Sequence, residues 1–80
     1  MYLGKVVGSI VSTKKNEKLL GCKFLTVELQ NRDNEEIVVV DNVGAGIGDV
    51  VLVTIGHNAM YGMGEKENIP IDAIIIGIVD

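Results

Sequence analysis

Asp41-Asn42-Val43-Gly44-Ala45-Gly46-Ile47-Gly48-Asp49-Val50-Val51-Leu52-Val53-Thr54-Ile55 is the stretch on which the fold turns. Its glycines invite comparison with a dinucleotide-binding loop. That loop needs a further glycine where Asp49 stands, and it must open a helix whose N-terminus holds the pyrophosphate. Here the glycines lead instead into Val50 to Ile55, a run rich in β-branched residues, which reads as a strand. They then belong to a tight connection between two strands. Gly44, Gly46 and Gly48 let it turn, Ala45 lies between them, and Asp41 and Asn42 tie the loop. No cofactor is expected from this motif.

Upstream of the loop, Glu36 to Val40 forms a strand, and Asn31-Arg32-Asp33-Asn34 before it is rich in turn formers. Leu19 to Gln30 carries Leu25, Val27 and Leu29 in alternation and pairs with that strand as a hairpin. Thr13 to Lys18 is polar throughout and reads as a solvated loop. The first strand runs from Met1 to Thr13, with Leu3, Val7 and Val11 on one phase and Val6 and Ile10 on the other. Gly4 and Gly8 interrupt it, as at a bulge or a barrel corner.

Downstream, Gly56 to Gly64 has no strand pattern and holds a single helical turn around Asn58, Ala59 and Met60, with Glu65 to Asn68 a charged loop. After Pro70 the run Ile71 to Asp80 is almost continuously apolar and makes a fifth strand. The expected fold is therefore all-β: a small five-stranded, OB-like antiparallel barrel with one short helical turn.

The last strand raises a question of burial. A barrel interior takes alternate residues, so if Ala73, Ile75 and Gly77 point one way, Ile74, Ile76 and Ile78 point the other. An outward isoleucine stripe is an aggregation hazard unless another chain covers it. Ile74, Ile76 and Ile78 are accordingly the expected subunit interface. A one-residue slip of register exchanges them for Ala73, Ile75 and Val79.

Length and composition agree with association. Eighty residues make one domain, 1–80, too small for a core that dispenses with support. The single cysteine, Cys22, has no partner within the chain, which points to a reducing, cytoplasmic setting. His57 and Cys22 are too few soft ligands for a closed zinc site, so no metal is expected. Hydrophobic residues are 48% of the chain, yet no stretch approaches the roughly 20 apolar residues of a membrane helix. The formal charge of −4 argues against a phosphate backbone as partner.

Candidate catalytic groups are sparse. His57 would need a carboxylate and a nucleophile, for which Asp72 and Ser12 or Cys22 are the available types, and nothing in the spacing brings them together. Cys22 reads as a small buried hydrophobe. No catalytic residue is assigned. Lys14, Lys15 and Lys18 form a basic loop that is either a solvated turn or a contact with an acidic surface. The alternative to a structural role is an OB module that binds nucleic acid or a small ligand. Only Tyr2, Phe24 and Tyr61 are aromatic, which leaves little for a stacking platform.

The segment Asp41 to Val53 closely resembles the signature of the EutN/CcmL family of bacterial microcompartment vertex proteins. Gly4, Val6, Gly8 and Val11 resemble its first strand, and Gly21, Lys23, Leu25, Val27 and Glu28 its second. Ile69-Pro70-Ile71-Asp72-Ala73 and Ile76-Gly77-Ile78-Val79-Asp80 are similar to its close. The resemblance covers the whole chain. It implies a structural, non-enzymatic subunit that forms homopentamers and caps the five-fold corners of a polyhedral shell of hexameric tiles, in the carboxysome or a related compartment. It also implies that Gly77 serves close packing, and it makes Lys14, Lys15 and Lys18 candidates for the tile contact. Family members often carry a Ser-Ser-Ala-Arg-like segment where this chain has His57-Asn58-Ala59-Met60, so their arginine contact is not carried over. They also often extend past Asp80, and no tail contact is expected here.

Overall fold

The computed structural model describes residues 1–11, 17–19, 21–56, 59 and 71–80, with only the backbone of Lys18. Five strands close into a barrel: β1 (Tyr2–Ile10), β2 (Lys23–Leu29), β3 (Glu35–Asp41), β4 (Val50–Ile55) and β5 (Ala73–Val79), in the order β1-β2-β3-β5-β4. The fold is all-β, as expected. Four of the five pairings are antiparallel. The barrel is closed by a short parallel contact between β3 and β5, Val40 against Ile74 and Asp41 against Ile75. Among the described residues that pairing is the one parallel contact in the otherwise antiparallel barrel.

The hairpin β2-β3 turns at residues 30–34, where Asp33 and Asn34 both take positive φ, a conformation short polar side chains tolerate. Its register runs from Lys23 opposite Asp41 to Leu29 opposite Glu35. Arg32 in this turn lies over the Tyr2 ring, 4.7 Å from its centroid, and reaches Glu35 at 3.5 Å.

The interior is filled by alternate residues. Val6, Leu25, Val27, Leu29, Val39, Val51, Val53, Ala73 and Ile75 form the main core, with Ala45 of the β3-β4 loop packed into it. A second cluster lies outside the barrel wall, where Val40 and Ile74 pack under Ala59, flanked by Cys22, Phe24 and Ile71.

Two bulges break the alternation. In β1, Val6 pairs with Val27 and Gly8 with Thr26, so Val7 is the extra residue, beside the glycine whose place in the strand suggests a bulge. Ile10, on the phase of Val6 by simple counting, is thereby turned outward. In β5, Ile75 pairs with Val53 and Gly77 with Leu52, so Ile76 is the extra residue.

Several boundaries are tighter than the sequence reading: β1 is Tyr2–Ile10 where Met1 to Thr13 is expected, and β5 begins at Ala73, not Ile71. Glu17–Leu19 is a 3-10 turn with Leu19 buried beside Phe24 and Ile71, and β2 begins at Lys23. The turn expected around Asn58, Ala59 and Met60 is described only at Ala59, whose N–H donates to Gly56 O at 3.0 Å. Asn58 and Met60 lie outside the described residues.

Candidate functional site

The β3-β4 loop is built around one carboxylate. Asp41, at the end of β3, continues the inward phase of Ile37 and Val39 and is the one buried charged side chain among the described residues. Its Oδ1 accepts from the Val43 and Gly44 N–H groups at 3.0 and 3.2 Å, and its Oδ2 from the Ala45 N–H at 2.8 Å. Lys23, opposite it on β2, places Nζ 3.5 Å from Oδ2 and donates to the Ala45 carbonyl at 2.7 Å. The Lys23 side chain is half exposed, so the ion pair counts for less than the three amide bonds to the charge.

A second carboxylate completes the loop. Asp49 Oδ2 accepts from the Gly46 N–H at 2.9 Å, and the Asp49 N–H donates back to Gly46 O at 3.0 Å. The loop then pairs with β1, as Gly48 N–H donates to Val6 O and Val6 N–H to Asp49 O, both at 2.9 Å. Successive amides converging on an anion form a nest of the kind that elsewhere cradles phosphate. Here Asp41 itself occupies it. What this arrangement does is mechanical: it presses Ala45 into the end of the barrel and presents Val43 and Ile47 to solvent on a fixed backbone.

Of the glycines assigned to let the loop turn, Gly44 and Gly48 have φ of 96°, where a side chain is strained. Gly46 lies outside that region, and a Cβ added there would meet nothing nearer than Asp49 Oδ2 at 4.0 Å. The conformational demand is therefore at the first and third glycines. Asn42 is exposed beside Asp41.

The outward stripe of β5 is redistributed. Ile74 points away from the main core as alternation requires, but it is 0% exposed because Ala59, Val40 and Cys22 of the same chain surround it. It is thus internal packing, not a surface open to another subunit. Ile76 and Ile78 are each 40% exposed, and Val79 joins them on the surface. The bulge at Ile76 sets Ile78 opposite Val51, so Ile76 and Ile78 do not form one alternating row with Ile74. Gly77 lies opposite Leu52 on the outer face.

Lys14, Lys15 and His57 lie outside the described residues, as does the Lys18 side chain. Cys22 is half-buried against the second cluster. Among the described residues, no three of the His, Cys, Asp and Glu side chains stand together as a metal site, and no helix is long and apolar enough to cross a membrane. Tyr2 packs on the main core and Phe24 on the second cluster, so neither offers a free stacking face.

Sequence pattern alone does not assign Lys23 or Asp49 to the loop. For Asp49 a signal exists, an acidic residue three positions after a glycine in a turn. Nothing in the sequence marks Lys23, because its role depends on standing opposite Asp41 across the hairpin. Val38, 52% exposed in the middle of β3, reads in sequence as an ordinary strand residue.

Known proteins share this sequence pattern and this fold. The family model described as "Ethanolamine utilisation protein EutN/carboxysome" matches residues 1–80. The bacterial microcompartment shell vertex protein GrpN of Rhodospirillum rubrum is 49% identical, with 100% of this chain and 93% of the relative covered. A solved structure described as the ethanolamine utilization protein EutN superposes with a TM-score of 0.91 at 37% identity, covering 100% of this chain and 86% of the other. The GrpN structure from Rhodospirillum rubrum, described as a pentameric microcompartment shell protein, gives a TM-score of 0.82 at 45% identity in the superposition, covering 100% and 93%.

Proposed function

Since the chain belongs to the EutN/CcmL family of microcompartment shell vertex proteins, we propose that it assembles into a homopentamer and closes a polyhedral shell at its five-fold corners. The observation that carries this is the full-length match to a relative whose solved structure is pentameric. The physics is simple. Hexameric tiles pave a flat sheet, and such a sheet closes only where five-fold units are inserted. A subunit for that task must hold its shape and its edges, and the loop built on Asp41 is a shape-holding device.

We read residues 1–80 as a single domain with no catalytic role. The acidic groups at the loop bond to its backbone, and Cys22 serves packing. An OB module for nucleic acid is not favoured: the formal charge is −4, and the two described aromatics are engaged in packing. The subunit resides in the shell of the compartment. Its further partners are the hexameric tiles, and the basic run Lys14, Lys15 and Lys18 is the tile contact in this reading.

Electron microscopy of tiles assembled with and without the chain tests the proposal. Closed polyhedra are expected with it, and open sheets or tubes without it. Reversing the charge of Lys14, Lys15 and Lys18 together is expected to leave shells open. Equal closure in the absence of the chain would refute the vertex role.

A further inference from the structure

A ring of five requires something of each subunit that a dimer does not. A two-fold contact uses one patch that meets itself, whereas a closed ring repeats one head-to-tail contact, so every copy needs two different complementary faces. The outer wall of this barrel carries two apolar faces, one on either side of β1.

The first spans β1, β4 and β5. The register sets Leu3 beside Leu52 and Leu52 beside Gly77, with Val50 and Val79 in the adjoining row. Gly77 leaves its place in the row without a side chain, and the bulge lifts Ile76 beside it. Leu3, Ile76 and Val79 are 37%, 40% and 42% exposed, a continuous apolar surface. The second face spans β1, β2 and β3. There the register sets Gly8 beside Thr26 and Thr26 beside Val38, with Ile10 opposite Phe24 in the next row. Val38 stands at its centre, and Ile10 is exposed at its margin. Lys5 edges the first face and stands opposite Glu28, which together with Glu36 edges the second.

Resting on the pentameric reading, we propose that the subunits join head to tail, the Leu3, Leu52, Ile76 and Val79 face of one copy seated on the Val38 face of the next. The occupant of each apolar face is a second copy of this chain. This assigns Val38 to the interface and removes Ile74 from it.

The test uses one substitution on each face, Ile76→Asp and Val38→Asp, read by native mass spectrometry beside the wild type. Both positions are exposed in the single chain, and far-UV circular dichroism checks that each variant keeps the barrel. If either fails that check, Val79→Glu or Thr26→Arg replaces it on the same face. Each variant alone is expected to lose at least tenfold of its pentamer at a concentration where the wild type is wholly assembled. Mixed in equal amounts they are expected to give a one-to-one heterodimer, because each retains the face the other lacks. A folded variant that stays pentameric overturns the assignment of that face, as does a mixture that yields no heterodimer. If the folded variants stay pentameric but no longer join hexameric tiles, the faces belong to the tile contact and the proposal is wrong. A wild type that is not pentameric sinks the functional reading itself, a result distinct from any of these.

Discussion

Replacing Asp41 by alanine is expected to destabilise the chain by about 3 kcal/mol. The carboxylate is buried and accepts three backbone N–H groups from residues 43–45, and a hydrogen bond to a charged group is worth about 1.5–3 kcal/mol net. The simple sum overstates the cost, since the loop amides reach water once the loop opens. What is lost besides energy is shape: without the nest, Ala45 loses the bond from its N–H that holds it in the end of the barrel, and Lys23 loses its carboxylate partner and keeps only the Ala45 carbonyl. Asp41→Asn keeps an acceptor oxygen but gives up the charge, and its expected cost is about half as large. Urea unfolding at one fixed protein concentration measures both, because the stability of an oligomer depends on concentration. A loss below about 1 kcal/mol for the alanine variant would show that the carboxylate does not organise the loop.

Ile74→Ala is expected to cost about 3 kcal/mol within a single chain, whereas Ile76→Ala costs the isolated chain less than about 1 kcal/mol. Truncating a buried isoleucine removes apolar contact and leaves a cavity, at about 2–5 kcal/mol. Ile74 is fully enclosed by Val40, Ala59 and their neighbours, while Ile76 is 40% exposed on its bulge. The comparison is made in a chain held monomeric by Val38→Asp, so that subunit contacts do not contribute. If Ile74→Ala were harmless in that monomer and harmful only in the assembled protein, Ile74 would belong to a subunit interface after all.

Much of the barrel is legible in the residues, and the reason differs from element to element. Leu25, Val27 and Leu29 alternate strictly and face a core, so the strand and its buried side emerge from local pattern. The turn at Asn31 to Asn34 carries its own chemistry, with Asp33 and Asn34 at positive φ. The Gly-rich loop declares itself because a strand, not a helix, comes after it. What stays hidden depends on residues far apart in the chain. The bulge at Ile76 exists only because β4 pairs on either side of it, and no periodicity within β5 announces the change of phase. The parallel closure of β3 on β5 joins residues more than thirty positions apart. Ile74 is outward by alternation, as the pattern says, but the cover over it comes from Ala59 and Cys22. A stripe that looks unprotected in sequence is in part protected by its own chain.

Glycines in the loop differ in the same hidden way. Three of them in alternation look equivalent, yet Gly44 and Gly48 hold the positive φ while Gly46 donates its N–H to Asp49 in an ordinary conformation. Backbone direction is set by the carboxylates on either side, Asp41 before and Asp49 after, and by the pairing of Gly48 with Val6. The structural role of the motif thus resides as much in its two aspartates as in its glycines.

Five copies make the working unit in this reading of the protein. Native mass spectrometry of the purified chain, whose mass is 8.6 kDa, tests that stoichiometry without an intermediary. A single dominant species of five chains is expected; a soluble monomer, or an assembly of any other number, would contradict the vertex role.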